Sequence, residues 1–374
     1  HGTVRDSTGR KMSKSLGNAV DPVEIIAASG ADSLRFSLIS LTAFGQDVFL
    51  PPDFYVKGRN FANKIWNASR FIIGKATSHG VTSDPLREET GDYSIADRWI
   101  LSLLNETIEK TTASLEQFRL NEALNRIYDF FWHSFCDWYL EIAKIDEEQP
   151  ERFRDVTIPV LLHVLTRTLA LLHPFMPFIT ERLWQQVAGC FRRESDCLAA
   201  GRWPAPGPLR DTRAVSWMTR ALEAVSAVRD AKASYRIPNR MPVSCELVGD
   251  PLHPDLERII KRMAGINRIE MRTSIPDGAP IVRDLAIGKL AISFEGTADI
   301  GREAARLRRE RENLAVVLAG IDAKLGQESF LSKAPADIIQ RERIRRQTIA
   351  EKIAALDERI ATLNGKGAPD GSDH

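Results

Sequence analysis

The sequence predicts a mainly α-helical protein: a loop with short helices, a helix bundle, a small α/β unit and a C-terminal antiparallel coiled-coil hairpin. Three observations support this order. Apolar residues recur at helical spacing through most of residues 53–187, strand-like runs follow a Gly- and Pro-rich connector, and heptads of Leu and Ile begin near residue 300. The 374 residues also exceed one ordinary core, since domains average about 150 residues.

Bulk composition excludes several classes of protein. A formal net charge of +1 gives no global positive field, so any contact with RNA must come from local patches. No run approaches the roughly 18 apolar residues of a membrane span, so we expect a soluble, cytoplasmic protein without a membrane partner. Neither a CxxC pair nor a metal-binding His spacing accompanies the cysteines, which we interpret as reduced thiols: Cys136, Cys190, Cys197 and Cys245.

Residues 1–50 predict a loop between a strand and two short helices. The string "HGTVRDSTGRK" is typical of a strand entering a turn at residues 6–9, and because it opens with His1 we expect an excised piece of a longer polypeptide. Asp21 should cap the helix "PVEIIAAS", which has Pro22 at its first position and Gly30 beyond its end. A second short helix, "ADSLRFSLIS", follows directly.

Residues 51–200 predict the helix bundle. Four long amphipathic segments cover residues 54–75, 94–118, 120–144 and 157–188. Pro174 and Pro177 lie inside the last segment, and proline removes a helical hydrogen bond, so we expect a break there and a new helix from about Thr180.

Residues 201–300 predict a linker, a helix and a small α/β unit. The connector "GRWPAPGPLRDTR" precedes a helix over residues 214–235. The strand-like runs are "PVSCELV", "RIEMR" and "KLAISFEG", and the helix "PDLERIIKRMA" lies between the first two. The unit is therefore of mixed α/β type.

Residues 301–364 predict the coiled-coil hairpin. The heptad residues fall in two arms: Leu307, Leu314, Leu318, Ile321 and Leu325, then Ile349, Ile353, Leu356, Ile360 and Leu363. Gly326 and Pro335 lie between the arms, so the chain should fold back on itself, and we expect this to bring two arginine clusters, residues 306–311 and 341–346, to the same end. Residues 365–374 should form a disordered tail.

The string "GRKMSKSLGNAVDP" carries the chemistry of the first part. Lys11 and Lys14 lie on a Gly-flanked loop with Ser hydroxyls and backbone N–H groups nearby, which suits a polyphosphate whose charge shifts during reaction. Lysine is a point charge on a flexible stem and can follow a migrating phosphoryl group, whereas arginine would hold one geometry. A bare KxxK motif would more often be a solvated basic turn.

The full string resembles the signature loop of class I aminoacyl-tRNA synthetases, and its flanks resemble the C-terminal half of the valyl-tRNA synthetase family. In order, the flanks are "GADSLRFSLIS", "GQDVFL", "GRNFANKIWNASRF", "DRWILS", "FRLNEALNRIYDFFWHSFCDWYLEIAK" and "LLHPFMPFITERLW". The string "ESFLSKAPADIIQRERIR" resembles the C-terminal coiled-coil arm of that family. The resemblance runs from His1 to about residue 364 and is weakest across the α/β unit.

The resemblance implies that the loop binds the phosphates of ATP, with Mg²⁺, while valine is activated. Lys11, Met12, Ser13, Lys14 and Ser15 occupy the five signature positions; Lys14 would meet phosphate most directly, with Lys11 as its partner. Residues 1–50 would then be the end of the catalytic nucleotide-binding fold. The family's HIGH-type motif, first half-fold and editing domain have no counterpart here, so this chain should not activate valine alone.

The resemblance also implies that the bundle binds the anticodon. Asn63, Lys64 and Asn67 are assigned to that contact, and Arg70 shares their helix face. Asn63 and Asn67 could equally brace neighbouring helices. Most aromatic residues of "YDFFWHSFCDWYLE" should lie in the core, with at most Trp132 or Phe131 reaching RNA.

The hairpin, by the same resemblance, packs on the outer corner of the tRNA. Arg341 and Arg345 are its candidate contacts, and the alternative is that they are solubilising surface charges. A solvated face is the favoured interpretation of four further basic residues: Arg229, Lys232, Arg236 and Arg240. We interpret three histidines as packing residues: His133, His163 and His173.

Two other functions stay open at this point. An isoleucine-specific sister synthetase would share the loop and the bundle, but we would then expect a C-terminal cysteine cluster in place of heptads. A free-standing tRNA-binding module would have no use for a mobile phosphate-binding loop. The interpretation retained is the C-terminal part of a valine-specific synthetase, a monomer, whose full enzyme has valine tRNA, valine and ATP as partners.

Overall fold

A computed structural model describes most of the chain, in two compact units, His1–Met218 and Thr219–His374. The described residues are 2–43, 45–81, 91–187, 197–235, 237–238, 241–275, 281–294, 297–327 and 335–363. Helices dominate both units, which confirms the predicted mainly α fold. Three earlier predictions fall outside the described residues: those for Cys190, for Arg236 and Arg240, and for the tail 365–374.

The first unit begins with two short parallel strands, β1 (Val4–Asp6) and β2 (Val48–Leu50). Helices α1 (Pro22–Ser29) and α2 (Ala31–Leu41) lie between them in sequence. The carboxylate of Asp21 accepts a 2.8 Å hydrogen bond from the N–H of Val23, and Gly30 follows α1, so the predicted caps are confirmed. A small apolar cluster packs this region together: Ile25, Leu34, Val48, Leu50 and Phe54.

The bundle follows in the same unit. Its helices are α3 (Val56–Ser78), α4 (Ile95–Glu116), α5 (Leu120–Asp129), α6 (Leu140–Ile145), α7 (Pro150–Arg152), α8 (Ile158–Leu172) and α9 (Pro177–Val187). All four predicted segments are helical. Helix α3 approaches α2 closely at Gly58, where an added Cβ would lie 2.3 Å from the carbonyl oxygen of Ser33. Glycine is therefore needed at that crossing.

A π-helix, Phe130–Tyr139, joins α5 to α6. The rings of Phe131, Phe135 and Tyr139 follow one another through its buried side, with centroids 5.5 and 6.1 Å apart. The hydroxyl of Tyr139 donates a 2.6 Å hydrogen bond to the buried carboxylate of Asp97, which also accepts one from Arg152. This network links α4, the π-helix and α7 at one end of the bundle.

The last bundle segment breaks between α8 and α9, as its prolines predicted. Helix α9 begins at Pro177, earlier than the predicted Thr180. The reason is a cap supplied by α2: the buried carboxylate of Asp32 accepts hydrogen bonds from the N–H groups of Phe178 (3.3 Å) and Ile179 (2.7 Å). Arg35, one turn further along α2, donates to the carbonyls of the break itself, Pro174 and Phe175.

Within the described part, one helical stretch is long and apolar enough to cross a membrane. It is Pro150–Leu172, and 72% of its most apolar window is buried inside the protein. Burial of this degree is typical of a core helix, and α8 packs against α3, α4 and α9 in the bundle.

A small sheet and two helices form the α/β part. Helix α10 (Thr212–Ser234) precedes β3 (Val243–Val248), α11 (Pro254–Ala264), β4 (Ile266–Met271), β5 (Ile281–Leu285) and β6 (Gly288–Phe294). The strand order is β4-β3-β6-β5, with β3 and β4 parallel around α11 and the other pairs antiparallel. Strand β5 was not predicted, because "IVRDL" is short, mostly exposed and carries two charges at the sheet edge.

Helices α12 (Thr297–Leu325) and α13 (Ala336–Leu363) form the predicted antiparallel hairpin. Ion pairs give the register, with Arg311 3.1 Å from Asp357 and Arg346 2.5 Å from Asp322. This register shows that the prediction of one shared arginine end was wrong. Residues 306–311 lie at the open end of the hairpin, whereas residues 341–346 lie near its turn.

Candidate phosphate-binding loop and RNA-facing surface

The signature loop begins as a tight return from β1. The N–H of Gly9 donates to the carbonyl of Asp6 (2.9 Å), and the N–H of Met12 donates to the carbonyl of Val4 (3.0 Å). Gly9 has a φ of 84°, a backbone conformation that glycine adopts without strain. The Met12 side chain packs against the apolar cluster beneath, so the loop is anchored between its two lysines.

One turn of 3₁₀-helix, Lys14–Leu16, forms the second half of the signature. The hydroxyl of Ser13 caps it by accepting a 3.3 Å hydrogen bond from the N–H of Leu16, and the hydroxyl of Ser15 lies 3.1 Å from that of Ser13. Gly17 ends the turn with a φ of 64°. The serines therefore shape the loop as well as offering hydroxyls to a ligand.

The carboxylate of Asp6 organises the base of the loop. One of its oxygens accepts hydrogen bonds from the N–H and hydroxyl of Thr8 (3.0 and 2.7 Å) and from the N–H of Arg10 (3.0 Å). The other accepts from the Asn18 amide (2.9 Å) and from the Arg10 guanidinium (3.0 Å). These donors, the Asn18 amide above all, hold the pKa of Asp6 well below its usual range.

Asn18 ties the far side of the loop to this base. Its amide oxygen accepts a 2.9 Å hydrogen bond from the N–H of Ser13, and its amide nitrogen donates to Asp6 and to the carbonyl of Lys11 (3.3 Å). Sequence reasoning missed both Asp6 and Asn18. The available signal was their place in the quoted string, at a strand end and after a turn glycine.

The five predicted signature residues come together on this framework. The side chains of Lys11 and Lys14 are exposed, and within the described part of the chain neither ammonium group has a hydrogen bond or an ion pair. Their ammonium groups are therefore available to an anion. This arrangement suits binding of phosphate oxygens, because the backbone is held while the charges stay uncommitted.

The predicted anticodon-facing residues lie on α3. Asn63, Asn67 and Arg70 are exposed on one face of the helix, at spacings of four and three residues. Lys64 is half-buried and already engaged, with its Nζ 2.8 Å from a carboxylate oxygen of Asp137 and 5.2 Å above the Trp132 ring. The side chains of Asn63, Asn67 and Arg70 are therefore accessible to a ligand, whereas Lys64 would first have to give up its ion pair with Asp137.

Trp132 belongs to a group of aromatic rings beside α3. It is half-buried and stacks on Tyr128 with ring centroids 5.5 Å apart, while Lys57 lies 4.4 Å above the Tyr128 ring. Phe131 is fully buried, so it cannot reach RNA as the sequence had allowed. The half-buried ring of Trp132 could offer its exposed part to a base.

His133 differs from its prediction as a packing residue. Its side chain, on the π-helix, is 59% exposed and lies 3.3 Å from the second carboxylate oxygen of Asp137. It borders an open cleft of about 350 Å³ between α4 and the π-helix. The cleft also exposes both signs of charge: Glu106, Lys110, Arg126 and Asp129.

Arg229 and Lys232 also depart from prediction, since neither belongs to a solvated face. Arg229 donates to the carbonyl of Met263, and Lys232 is fully buried and donates to the carbonyls of Ala264 (2.8 Å) and Gly265 (3.1 Å). Both satisfy the C-terminal carbonyls of α11. They are structural residues of the α/β part.

The predicted residues of the hairpin, Arg341 and Arg345, are exposed near its turn. Arg346 beside them pairs with Asp322 across the hairpin. Cys136 and Cys245 are buried free thiols, and burial raises the pKa of each to about 12, which agrees with their interpretation as reduced cysteines.

Three protein families match different parts of this chain. Residues 1–50 match "tRNA synthetases class I (I, L, M and V)", residues 97–247 match "Anticodon-binding domain of tRNA ligase", and residues 299–364 match "Valyl tRNA synthetase tRNA binding arm". The last match favours the valine-specific family over the isoleucine-specific alternative.

The curated relatives agree with these matches. The valine–tRNA ligase of Bacillus subtilis (strain 168) is 36% identical over 98% of this chain, and that of Anoxybacillus flavithermus is 37% identical over 97%. This chain spans about 42% of the length of each. Methionyl-tRNA synthetase of Mycobacterium tuberculosis, in complex with methionyl-adenylate, aligns with 24% identity and a TM-score of 0.43 over 56% of this chain and 42% of its own.

LeuRS of Agrobacterium radiobacter K84, solved with tRNA and LeuAMS, aligns with 23% identity and a TM-score of 0.43 over 67% of this chain and 26% of its own. The assignment rests on the family matches and the curated relatives. By these matches, the chain corresponds over nearly its whole length to the C-terminal region of valyl-tRNA synthetases.

Proposed function

We propose that this chain supplies the phosphate-stabilising loop and the tRNA-binding regions of a valine–tRNA ligase. Such an enzyme activates valine with ATP and transfers it to its cognate tRNA, in the cytoplasm and as a monomer. The match to the C-terminal region of this family supports the reaction and the substrates. The observation that carries the loop's role is the pair of exposed, uncommitted ammonium groups of Lys11 and Lys14 on a backbone held by Asp6 and Asn18.

The loop acts by electrostatic stabilisation. Negative charge builds on the departing pyrophosphate as valine attacks ATP, and Lys14, supported by Lys11, neutralises it where it develops. Mg²⁺ would arrive on the ATP phosphates, since this ion keeps several of its waters and binds readily to phosphate oxygens. Valine and ATP must also be positioned by the rest of a nucleotide-binding site, which this loop does not provide. The chain alone therefore does not activate valine.

The tRNA is held by two separate surfaces. Asn63, Asn67 and Arg70 present amide and guanidinium groups to the anticodon, with Lys64 and Trp132 beside them. Arg341 and Arg345 contact the backbone of the tRNA corner near the turn of the hairpin.

The proposed domain boundaries are residues 1–50, 51–200, 201–300, 301–364 and 365–374.

A binding titration of this chain tests the tRNA part of the proposal. We expect valine tRNA to bind more tightly than isoleucine tRNA or a valine tRNA with a changed anticodon. Lys14→Ala is the matched control, since its loop would not meet the anticodon and the affinity should not change. Equal affinity for all three tRNAs would contradict anticodon recognition by the bundle.

A further inference from the structure

We propose that Asn18, held by Asp6, is a positioning residue that fixes the loop backbone between Lys11 and Lys14 for the reaction of ATP. The inference rests on the proposed function and deepens it. Asn18 bonds to the N–H of Ser13 and the carbonyl of Lys11, which lie on either side of Met12. One side chain therefore sets the path of the chain between the two ammonium groups.

Asp6 determines which way the Asn18 amide points. An ionised carboxylate only accepts hydrogen bonds, so the NH₂ group of Asn18 must face Asp6 and its oxygen must face the N–H of Ser13. Asp6 is itself fixed by backbone N–H groups of Thr8 and Arg10 in the turn after β1. Asp6, at the end of β1, thus fixes the orientation of the Asn18 amide, and Asn18 in turn positions the backbone of Lys11 and Ser13.

This arrangement predicts a particular kinetic role. The lysine stems are flexible, so the backbone at Lys11 and Ser13 decides where the two ammonium groups can meet the pyrophosphate. Loss of the Asn18 bonds would leave both charges present but poorly aimed. Such a change weakens the transition state more than bound ATP, so kcat should fall while the KM for ATP changes little.

The experiment is valine-dependent ATP–pyrophosphate exchange in the complete ligase, measured for Asn18→Ala, Lys14→Ala and the double variant. We expect Asn18→Ala to lower kcat about tenfold with an unchanged KM for ATP, and to have little further effect when Lys14 is already alanine. Asp21→Asn is the matched control, since Asp21 caps α1 nearby without bonding to the signature residues, and its kinetics should equal those of the wild type.

A second measurement does not depend on catalysis. Hydrogen exchange in this chain should be faster at the N–H of Ser13 in Asn18→Ala than in wild type, with no change in α3. Asn18→Ser serves if the alanine variant does not fold.

The inference is overturned if Asn18 variants exchange pyrophosphate as fast as wild type. It is also overturned if Asn18→Ala lowers kcat as much in the Lys14→Ala background as in the wild type, or if hydrogen exchange at the Ser13 N–H is unchanged in Asn18→Ala. Normal exchange in Lys14→Ala would instead overturn the proposed role of the loop itself.

Discussion

The opening loop and the α3 face of the bundle both present lysines, but they treat the charge differently. In the loop, hydrogen bonds hold the backbone, and the ammonium groups of Lys11 and Lys14 are exposed without a partner in the described part of the chain. On α3, Lys64 is committed to Asp137 and Trp132. An uncommitted cation can meet a ligand at once, whereas a paired one must first exchange its partner.

The difference indicates a division of labour. The loop is suited to strong stabilisation of a transient charge, because nothing within the protein competes for its lysines. The α3 face is suited to selective binding of a shaped surface, because exposed amides and a half-buried tryptophan contribute more there than net charge does.

Lys14→Ala should have the largest effect. Removing a well-aimed charge costs about 2.7–4 kcal/mol at the transition state, so pyrophosphate exchange by the complete ligase should slow by about 10²–10³-fold. Lys64→Ala, the matched lysine from α3, should leave exchange unchanged. Comparable losses in the two variants would remove the distinction between the two regions.

Replacement of both Arg341 and Arg345 by alanine should have the next largest effect. Each phosphate contact that is lost lowers the salt dependence of tRNA binding by about one unit of slope, so the slope should fall by about two and the affinity by about tenfold. Arg346→Ala is the control, since this neighbouring arginine pairs with Asp322 across the hairpin and is not assigned to the tRNA contact. A slope unaltered by the double substitution would exclude these two arginines from the RNA contact.

Asp137→Asn should act in the opposite direction. The change releases Lys64 for phosphate, so valine tRNA should bind about threefold to fivefold more tightly, within the ~1 kcal/mol expected for a partly exposed ion pair. Asp155→Asn, which removes a carboxylate paired with Arg154 elsewhere on the bundle, is the control. Weaker binding by Asp137→Asn would mean that the ion pair itself shapes the RNA surface.

The smallest expected effect concerns His173, which lies at the break where α2 meets the bundle. Its ring is 2.8 Å from the hydroxyl of Thr180, and burial lowers its pKa below the ordinary value of 6.5. The folded protein favours the neutral form of this histidine more than the unfolded chain does. Its contribution to the stability of the fold is therefore complete above pH 6.5, and it is lost as the pH falls through the folded-state pKa. Melting temperatures at neutral and mildly acidic pH should therefore differ less in His173→Gln; an identical pH dependence would exclude this residue.

Local signals in the sequence predicted the elements that depend on local chemistry. Asp21, Pro22 and Gly30 bound α1 as expected, and the prolines at 174 and 177 break the last bundle segment. The start of α9 was misplaced because its cap, Asp32, comes from a helix more than a hundred residues earlier. Burial of Lys232 likewise follows from the carbonyls of α11, which no helical periodicity reveals.

The sequence predicted the charged groups of the candidate site but not the hydrogen bonds that position them. The string around Lys11 and Lys14 identified the charged groups, because their spacing and flanks are local features. The bonds of Asn18 to Ser13, Lys11 and Asp6 exist only once the loop has turned back on β1. The two arginine clusters were placed at one end because the register of the hairpin, set by pairs such as Arg311 with Asp357, is not contained in either arm alone.

Lysine modification tests the contrast between the two regions most directly. This chain would be treated briefly with an amine-reactive acetylating reagent, and the extent of labelling at each lysine would be read by mass spectrometry. We predict that Lys11 and Lys14 react several-fold faster than Lys64, which the reagent can reach only by displacing Asp137 and Trp132. Labelling of Lys64 at the same rate as the loop lysines, or faster, would contradict the account.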